Sequence, residues 1–170
     1  LVAGAHTVIL SAPAKGDDIG TVVHGVNTAT GDGKRVISCA SCTTNCIAPV
    51  MEVMNRRIGV RKAVMTTIHA YTSSQGIVDG PNKQFRRGRA AAANLVPTST
   101  GAAIAATQAL PELKGKFDGA AVRAPVPVGS IADIVLLTSR ATSVEEVNGI
   151  FREEANTDRY RGILDAPEDP

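Results

Sequence analysis

Tryptophan is absent, and aromatic residues make up only 3% of the 170 residues. That scarcity argues against the stacked aromatic platforms that hold single-stranded nucleic acid. A dominant charge is missing too. The formal net charge is +2 and no run of like charge exceeds two residues, so neither nucleic acid nor an anionic membrane surface is favoured as a partner. No apolar stretch approaches the ~20 residues that a membrane span needs. Glycine is present, but never as the Gly-x-Gly-x-x-Gly of a nucleotide phosphate loop. The chain opens on Leu1 with no signal-like segment and closes on the loop-like Asp165–Pro170. Both ends read as cut, as in an internal piece of a longer protein. What remains is an ordinary globular balance, 44% hydrophobic and 20% charged, enough to bury a sizeable core.

The three cysteines, Cys39, Cys42 and Cys46, fall in one short segment. A secreted disulfide scaffold would spread its cysteines to close loops. Clustering points instead to thiol chemistry or a metal, in a reducing, cytoplasmic setting. Cys39-x-x-Cys42 has the spacing of a thioredoxin-like redox pair, but the surrounding βαβ pattern is lacking. A zinc site would need a fourth ligand and usually a second cysteine pair. No metal site is expected.

Thr7–Leu10 reads as a short buried strand stopped by Ser11-Ala12-Pro13. Thr21–Val23 and Arg35–Ile37 are further strand candidates, with Gly31-Asp32-Gly33 as a turn between them. From Ser41 the apolar spacing becomes helical, through Ile47, Val50, Met51 and Met54. Ser41 or Thr43 can cap this helix, and Arg56-Arg57 with Gly59 suit its end. Val60–Tyr71 reads as a strand. Residues 73–97 read as a long loop with a helical turn at Arg89–Ala93. A small-residue helix follows over Ala102–Leu110, then a turn region over Pro111–Gly119. Ala120–Ala124 and Ile131–Thr138 read as strands with hairpin-like neighbours. Ser143 and Glu146 form a capping box for a last helix to about Ala155. The expectation is an α+β catalytic domain with a mixed or antiparallel sheet and helices over residues 42–170. Residues 1–41 would be the last strands of an α/β Rossmann-type domain.

Cys42 opens a helix, where free N–H groups and the positive dipole end favour the reactive thiolate. A cysteine there is more often structural, so a base is needed. His69 closes a strand before a loop, a common place for a general base. A core histidine satisfied by a backbone carbonyl is an equal reading on spacing alone. Together the two make an activated nucleophile. His6 and His24 have no such setting. Thr98–Gly101 offers hydroxyl and N–H donors at another helix start, suited to phosphate. Arg87 and Arg123 are candidate anion ligands, whereas Arg86 and Arg89 read as solvated or interface charges.

Ser41-Cys42-Thr43-Thr44-Asn45-Cys46-Ile47-Ala48-Pro49 resembles the active-site signature of the phosphorylating glyceraldehyde-3-phosphate dehydrogenases. His69–Thr72, Arg86–Ala92, Pro97–Ala103 and Leu110–Lys116 resemble further family segments, in the family's order. The resemblance covers essentially the whole chain and about half of a family subunit. It implies that Cys42 attacks the aldehyde carbon of D-glyceraldehyde 3-phosphate while His69 takes a proton and assists hydride transfer. A thioester on Cys42 would then yield 1,3-bisphosphoglycerate to inorganic phosphate, in glycolysis or gluconeogenesis. It also implies Thr72 and Arg123 on the substrate phosphate, and Ser41, Thr43, Thr100 and Gly101 on the attacking phosphate. Arg87 would lie between the two sites, and Ser11 would touch the cofactor. NAD is the implied cofactor, with NADP possible; Pro81 leans toward NAD. A homotetramer with loop 73–97 near subunit contacts is implied as well.

Two departures stand out. Cys39 replaces a usual Asn beside the nucleophile, creating a thiol able to pair with Cys42. Ser73-Ser74 replaces a common Asn-Asp, removing a carboxylate near the substrate-phosphate arginine. Erythrose-4-phosphate dehydrogenase is the nearest enzymatic alternative, and a redox-regulated binding protein is the alternative from another class. The 170-residue chain by itself, lacking the Gly-rich loop, is expected to be inactive.

Overall fold

A computed structural model describes residues 2–15 and 18–168. Three short strands, β1 (Val8–Leu10), β2 (Gly20–Thr21) and β3 (Val36–Ser38), form a parallel sheet in the order β1-β3-β2. Helix α1 (Cys42–Arg57) then leads into the long strand β4 (Val60–Ala70). Strand β5 (Val96–Thr98), helix α2 (Ala102–Ala109), strands β6 (Phe117–Ala124) and β7 (Ser130–Thr138) and helix α3 (Val144–Ala155) complete the chain. The second sheet is mixed, in the order β5-β6-β4-β7, with β4 parallel to β6 and antiparallel to β7. A parallel sheet followed by a mixed sheet with helices is the expected fold class.

Helix α1 starts and stops where its sequence says it should. Ser41 Oγ accepts the Thr44 N–H, a side-chain cap on an otherwise free donor. Gly59, at φ +87°, ends the helix in the left-handed region that glycine occupies without strain. Ile47, Ala48, Met51, Val53 and Met54 bury one face against α2 and the sheet. Strand β4 alternates: Ala63, Met65 and Thr67 point into the core and Val64 points out. From β7, Ala132, Ile134 and Leu136 pack against the same core.

Four expectations need correction. The Thr7–Leu10 strand exists but is not buried: all three β1 residues are exposed, Ile9 by 63%. An apolar run of β-branched residues fixes strand conformation but not what covers it. Residues 73–97 are not loop throughout, because Val96–Thr98 forms β5. Pro97 hid this strand, yet β5 is an edge strand, where a missing N–H costs no ladder bond. The turn region Pro111–Gly119 ends early, since β6 begins at Phe117. Asp118 and Gly119 disguise its start. Gly119 is needed there, because a Cβ would come within 2.9 Å of the Met65 carbonyl oxygen on β4. Finally, β6 and β7 are not a hairpin, since β4 lies between them. The last stretch, Asp165–Pro170, is described only to Glu168.

Candidate active site

The turn from β3 into α1 delivers Cys42, the candidate nucleophile. Ala40 sits at φ 59°, a conformation uncommon outside glycine. It is held there by hydrogen bonds: Ser38 Oγ accepts the Ala40 N–H and donates to the Ala12 carbonyl. Asn45 then reaches back from α1, its Nδ2 donating to the Cys39 and Ser41 carbonyls at 2.7 and 2.9 Å. Cys42 is left exposed at the first turn of the helix.

Sheet register delivers His69, the candidate base. In the parallel pairing of β4 with β6, His69 stands opposite Arg123. His69 alternates inward with Met65 and Thr67 and is half-buried. Its Nε2 lies 3.5 Å from Cys42 Sγ. Its Nδ1 lies 2.8 Å from the Ala70 carbonyl oxygen and 2.7 Å from Arg123 Nη1.

Cys42, His69 and Arg123 line one cleft of about 230 Å³, together with Ser41, Thr43, Thr100 and Gly101. The expected phosphate ligands differ in how free they are. The Ser41 hydroxyl caps α1 and contacts Thr44 Oγ1 at 2.9 Å. Thr100 Oγ1 accepts the Ala102 N–H at the start of α2. Thr43 makes no side-chain hydrogen bond among the described residues. Arg123 is the least satisfied: its Nε is buried without a partner, and no carboxylate pairs with it among the described residues. Burial first, and then the neighbouring Arg87 guanidinium, lower its pKa from the ordinary arginine value, against a raising effect of Cys42. Two cations held close together with no acid between them favour an anion.

Arg87, Thr72 and Ser11 lie outside the lining of this cleft. Arg87 directs Nε and Nη2 onto Thr98 Oγ1 at 3.0 and 2.9 Å. Thr72 contacts Ser74, Oγ1 to Oγ, at 2.9 Å. Ser11 is exposed, and its near neighbour Pro13 borders the cleft instead. Arg86 is exposed and Arg89 pairs with Asp79 at 3.0 Å, as solvated charges do. His6 and His24 are exposed. Cys39 is half-buried, and all three cysteines are free thiols. Sequence reading passed over Pro13 and Ala40 as site residues, and neither carried a local signal. No helix among the described residues is long and apolar enough to cross a membrane.

Residues 41–170 match the family described as glyceraldehyde 3-phosphate dehydrogenase, C-terminal domain. Proteins named glyceraldehyde-3-phosphate dehydrogenase are similar over nearly all of the chain. That of Mycobacterium leprae is 52% identical over 98% of this chain, and that of Mycobacterium tuberculosis 53% over 98%. That of Streptomyces coelicolor is 50% identical over 99%. The chain spans about half the length of the curated relatives it matches, 50–51% in these three. With a family model matched over residues 41–170 and about half of all positions identical to these relatives, the chain belongs to the glyceraldehyde-3-phosphate dehydrogenase family.

Proposed function

We propose that this chain carries the reacting half of an enzyme that oxidises and phosphorylates D-glyceraldehyde 3-phosphate to 1,3-bisphosphoglycerate. The observation that carries the reading is the 3.5 Å approach of Cys42 Sγ to His69 Nε2, in a cleft shared with the unpaired Arg123. Thiol, imidazole and guanidinium converge on one small volume, which is what covalent attack on a phosphorylated aldehyde requires.

In this reading Cys42 attacks the aldehyde carbon and forms a thiohemiacetal. His69, within reach of the sulfur, takes the hydroxyl proton as the carbon loses hydride, leaving a thioester. Arg123 and Thr72 hold the substrate phosphate. The start of α2, with Thr100 and Gly101, and the hydroxyls of Ser41 and Thr43 receive the inorganic phosphate that cleaves the thioester. Arg87 stands between the two anions. A nicotinamide dinucleotide, NAD or NADP, supplies the hydride acceptor when bound. The chain's residues fit the reactive end of such a cofactor. Pro13, Ala14, Ala40 and Ala105 line a mainly apolar crevice that adjoins the Cys42 cleft and shares Pro13, Gly101 and Ala105 with it. Ser11 lies just before that rim.

Assembly is part of the proposal. On the outer face of the second sheet, Val64, Ile131, Val135 and Leu137 are each more than half exposed. Ile77, Val78 and Phe85, in the loop after β4, are too. Apolar surface of this extent supports burial between copies in a homotetramer. Three free thiols suit a reducing, cytoplasmic location.

The direct test is Cys42→Ser in the complete protein. Cofactor-linked oxidation of glyceraldehyde 3-phosphate should fall to background, because a hydroxyl at neutral pH is far less nucleophilic than a thiolate. Retained oxidation would remove Cys42 from the reaction.

A further inference from the structure

Arg87 and Arg89 stand two residues apart in the loop after β4 and are satisfied differently. Arg89 pairs with the Asp79 carboxylate at 3.0 Å. Arg87 forms no ion pair among the described residues and turns instead to a hydroxyl. Its Nε and Nη2 donate to Thr98 Oγ1 at 3.0 and 2.9 Å. Those two nitrogens share the side edge of the guanidinium fork, an edge that a carboxylate or phosphate takes with two oxygens. Thr98 occupies it with one neutral oxygen. A carboxylate in its place would hold Arg87 and cancel its charge. A hydroxyl holds Arg87 and leaves the charge whole, since a guanidinium does not deprotonate in proteins. The other edge, Nη1 with the second Nη2 proton, has no acceptor among the described residues. The Thr98 hydroxyl keeps its own proton to give, and no acceptor takes it among those residues either.

Thr98 ends β5 opposite Ala121 of β6. Its side chain therefore shares a face with Arg123, two residues further along β6 and within reach of a long side chain. After burial, the nearness of Arg87 is what lowers the Arg123 pKa, and the buried Arg123 Nε has no partner. The residues that follow Thr98, namely Ser99, Thr100 and Gly101, line the Cys42 cleft. We propose that Thr98 is a positioning residue for anion binding: it aims the charged end of Arg87 beside Arg123 without neutralising it, and so sets the affinity of the cleft for a phosphate dianion. This rests on the reading of the cleft as a site for a phosphorylated aldehyde. The phosphate group of that aldehyde and inorganic phosphate share this chemistry, and separate titrations tell them apart. Thr98 leads directly into the segment assigned to inorganic phosphate, so the larger effect belongs there.

The test is steady-state oxidation of glyceraldehyde 3-phosphate by the complete protein, with inorganic phosphate and glyceraldehyde 3-phosphate varied in turn. Thr98→Val keeps the β-branched shape and removes the oxygen. It should raise the KM for inorganic phosphate about tenfold, within the range of a hydrogen bond to a charged group, while kcat changes far less. Thr98→Ser restores the oxygen and should recover the native KM. Thr98→Asp keeps a tie to Arg87 but cancels its charge, and should raise the KM at least as far; a merely structural tie would survive that change. With Arg87→Leu already present, Thr98→Val should raise the KM no further, because the effect runs through the guanidinium. A Thr98→Val protein with both KM values unchanged overturns the proposal, as does an equal further rise on top of Arg87→Leu. If Thr98→Val does not fold, Thr98→Asp against Thr98→Asn decides, and equal KM values in that pair overturn it. Failure here with glyceraldehyde 3-phosphate oxidation intact leaves the proposed function standing. Oxidation that survives Cys42→Ser defeats that function instead.

Discussion

His69 is placed by three independent constraints. Its strand fixes its height, its alternation fixes its face, and the Arg123 and Ala70 contacts fix its ring. The ring in turn is the only imidazole near Cys42 among the described residues. His69→Asn in the complete protein should therefore slow Cys42 alkylation by iodoacetamide near neutral pH by at least an order of magnitude, within the range general bases contribute. Unchanged alkylation would show that the helix start alone activates the thiol. Much of this site was legible in the sequence, because a thiol before a helical apolar pattern and a histidine at a strand end are local signals. The Arg123 contact with Nδ1 was not. It arises from pairing between strands distant in sequence, and nothing in the spacing of residues 69 and 123 announces that register.

At the scale of elements, α1 is fastened at both ends by different means. Its start is held by Ser41 and Asn45, and its end by an ionic cluster with α3. Glu154, with only 4% of its side chain exposed, receives Arg56 Nη2 at 2.8 Å and also pairs with Arg57. Glu52 receives Arg56 at 2.8 Å, Arg159 at 3.0 Å and the hydroxyl of the buried Tyr160 at 2.6 Å. Hydrogen bonds from Arg56, opposed by burial and aided by Arg57, lower the Glu154 pKa from its ordinary value. A carboxylate whose pKa is depressed by folding stabilises the fold above its unfolded value and loses that contribution as pH falls. Thermal stability of the complete protein should thus decline below the ordinary carboxylate range of about 4, and Glu154→Gln should flatten the decline. At neutral pH the same substitution should cost on the order of 2–3 kcal/mol in denaturant unfolding, at or just below the range for breaking a fully buried pair. The discount arises because Arg56 stays 39% exposed. An unchanged acid slope would assign the decline to other carboxylates. The helices themselves were readable from caps and periodicity. The cluster that joins α1 to α3 was not, since Arg56-Arg57 read only as a helix-end pair and Glu154 lies far away in sequence.

For the whole molecule, the two faces of the second sheet have different fates. The inner face packs under α1 and α2. The outer face sets Val64 opposite Val135 and Ile68 opposite Ile131, with Leu137 across from Lys62. If this face is buried between copies, Val64→Lys combined with Val135→Lys should shift the complete protein to smaller assemblies in sedimentation velocity. An unchanged sedimentation coefficient would remove the face from the assembly. The sequence marked Ile131–Thr138 as a strand. It could not say that the outward side would stay apolar for want of cover, because periodicity reports orientation and not neighbours.

The parallel pairing of β4 with β6 has a kinetic consequence. Parallel neighbours cannot be joined by a tight turn, and here residues 71–116 intervene. His69 on β4 and Arg123 on β6 meet only after that whole connection has closed, late in any order of assembly that favours local contacts. An order of assembly that favours local contacts gives Cys42 its place at a helix start before Arg123 reaches His69.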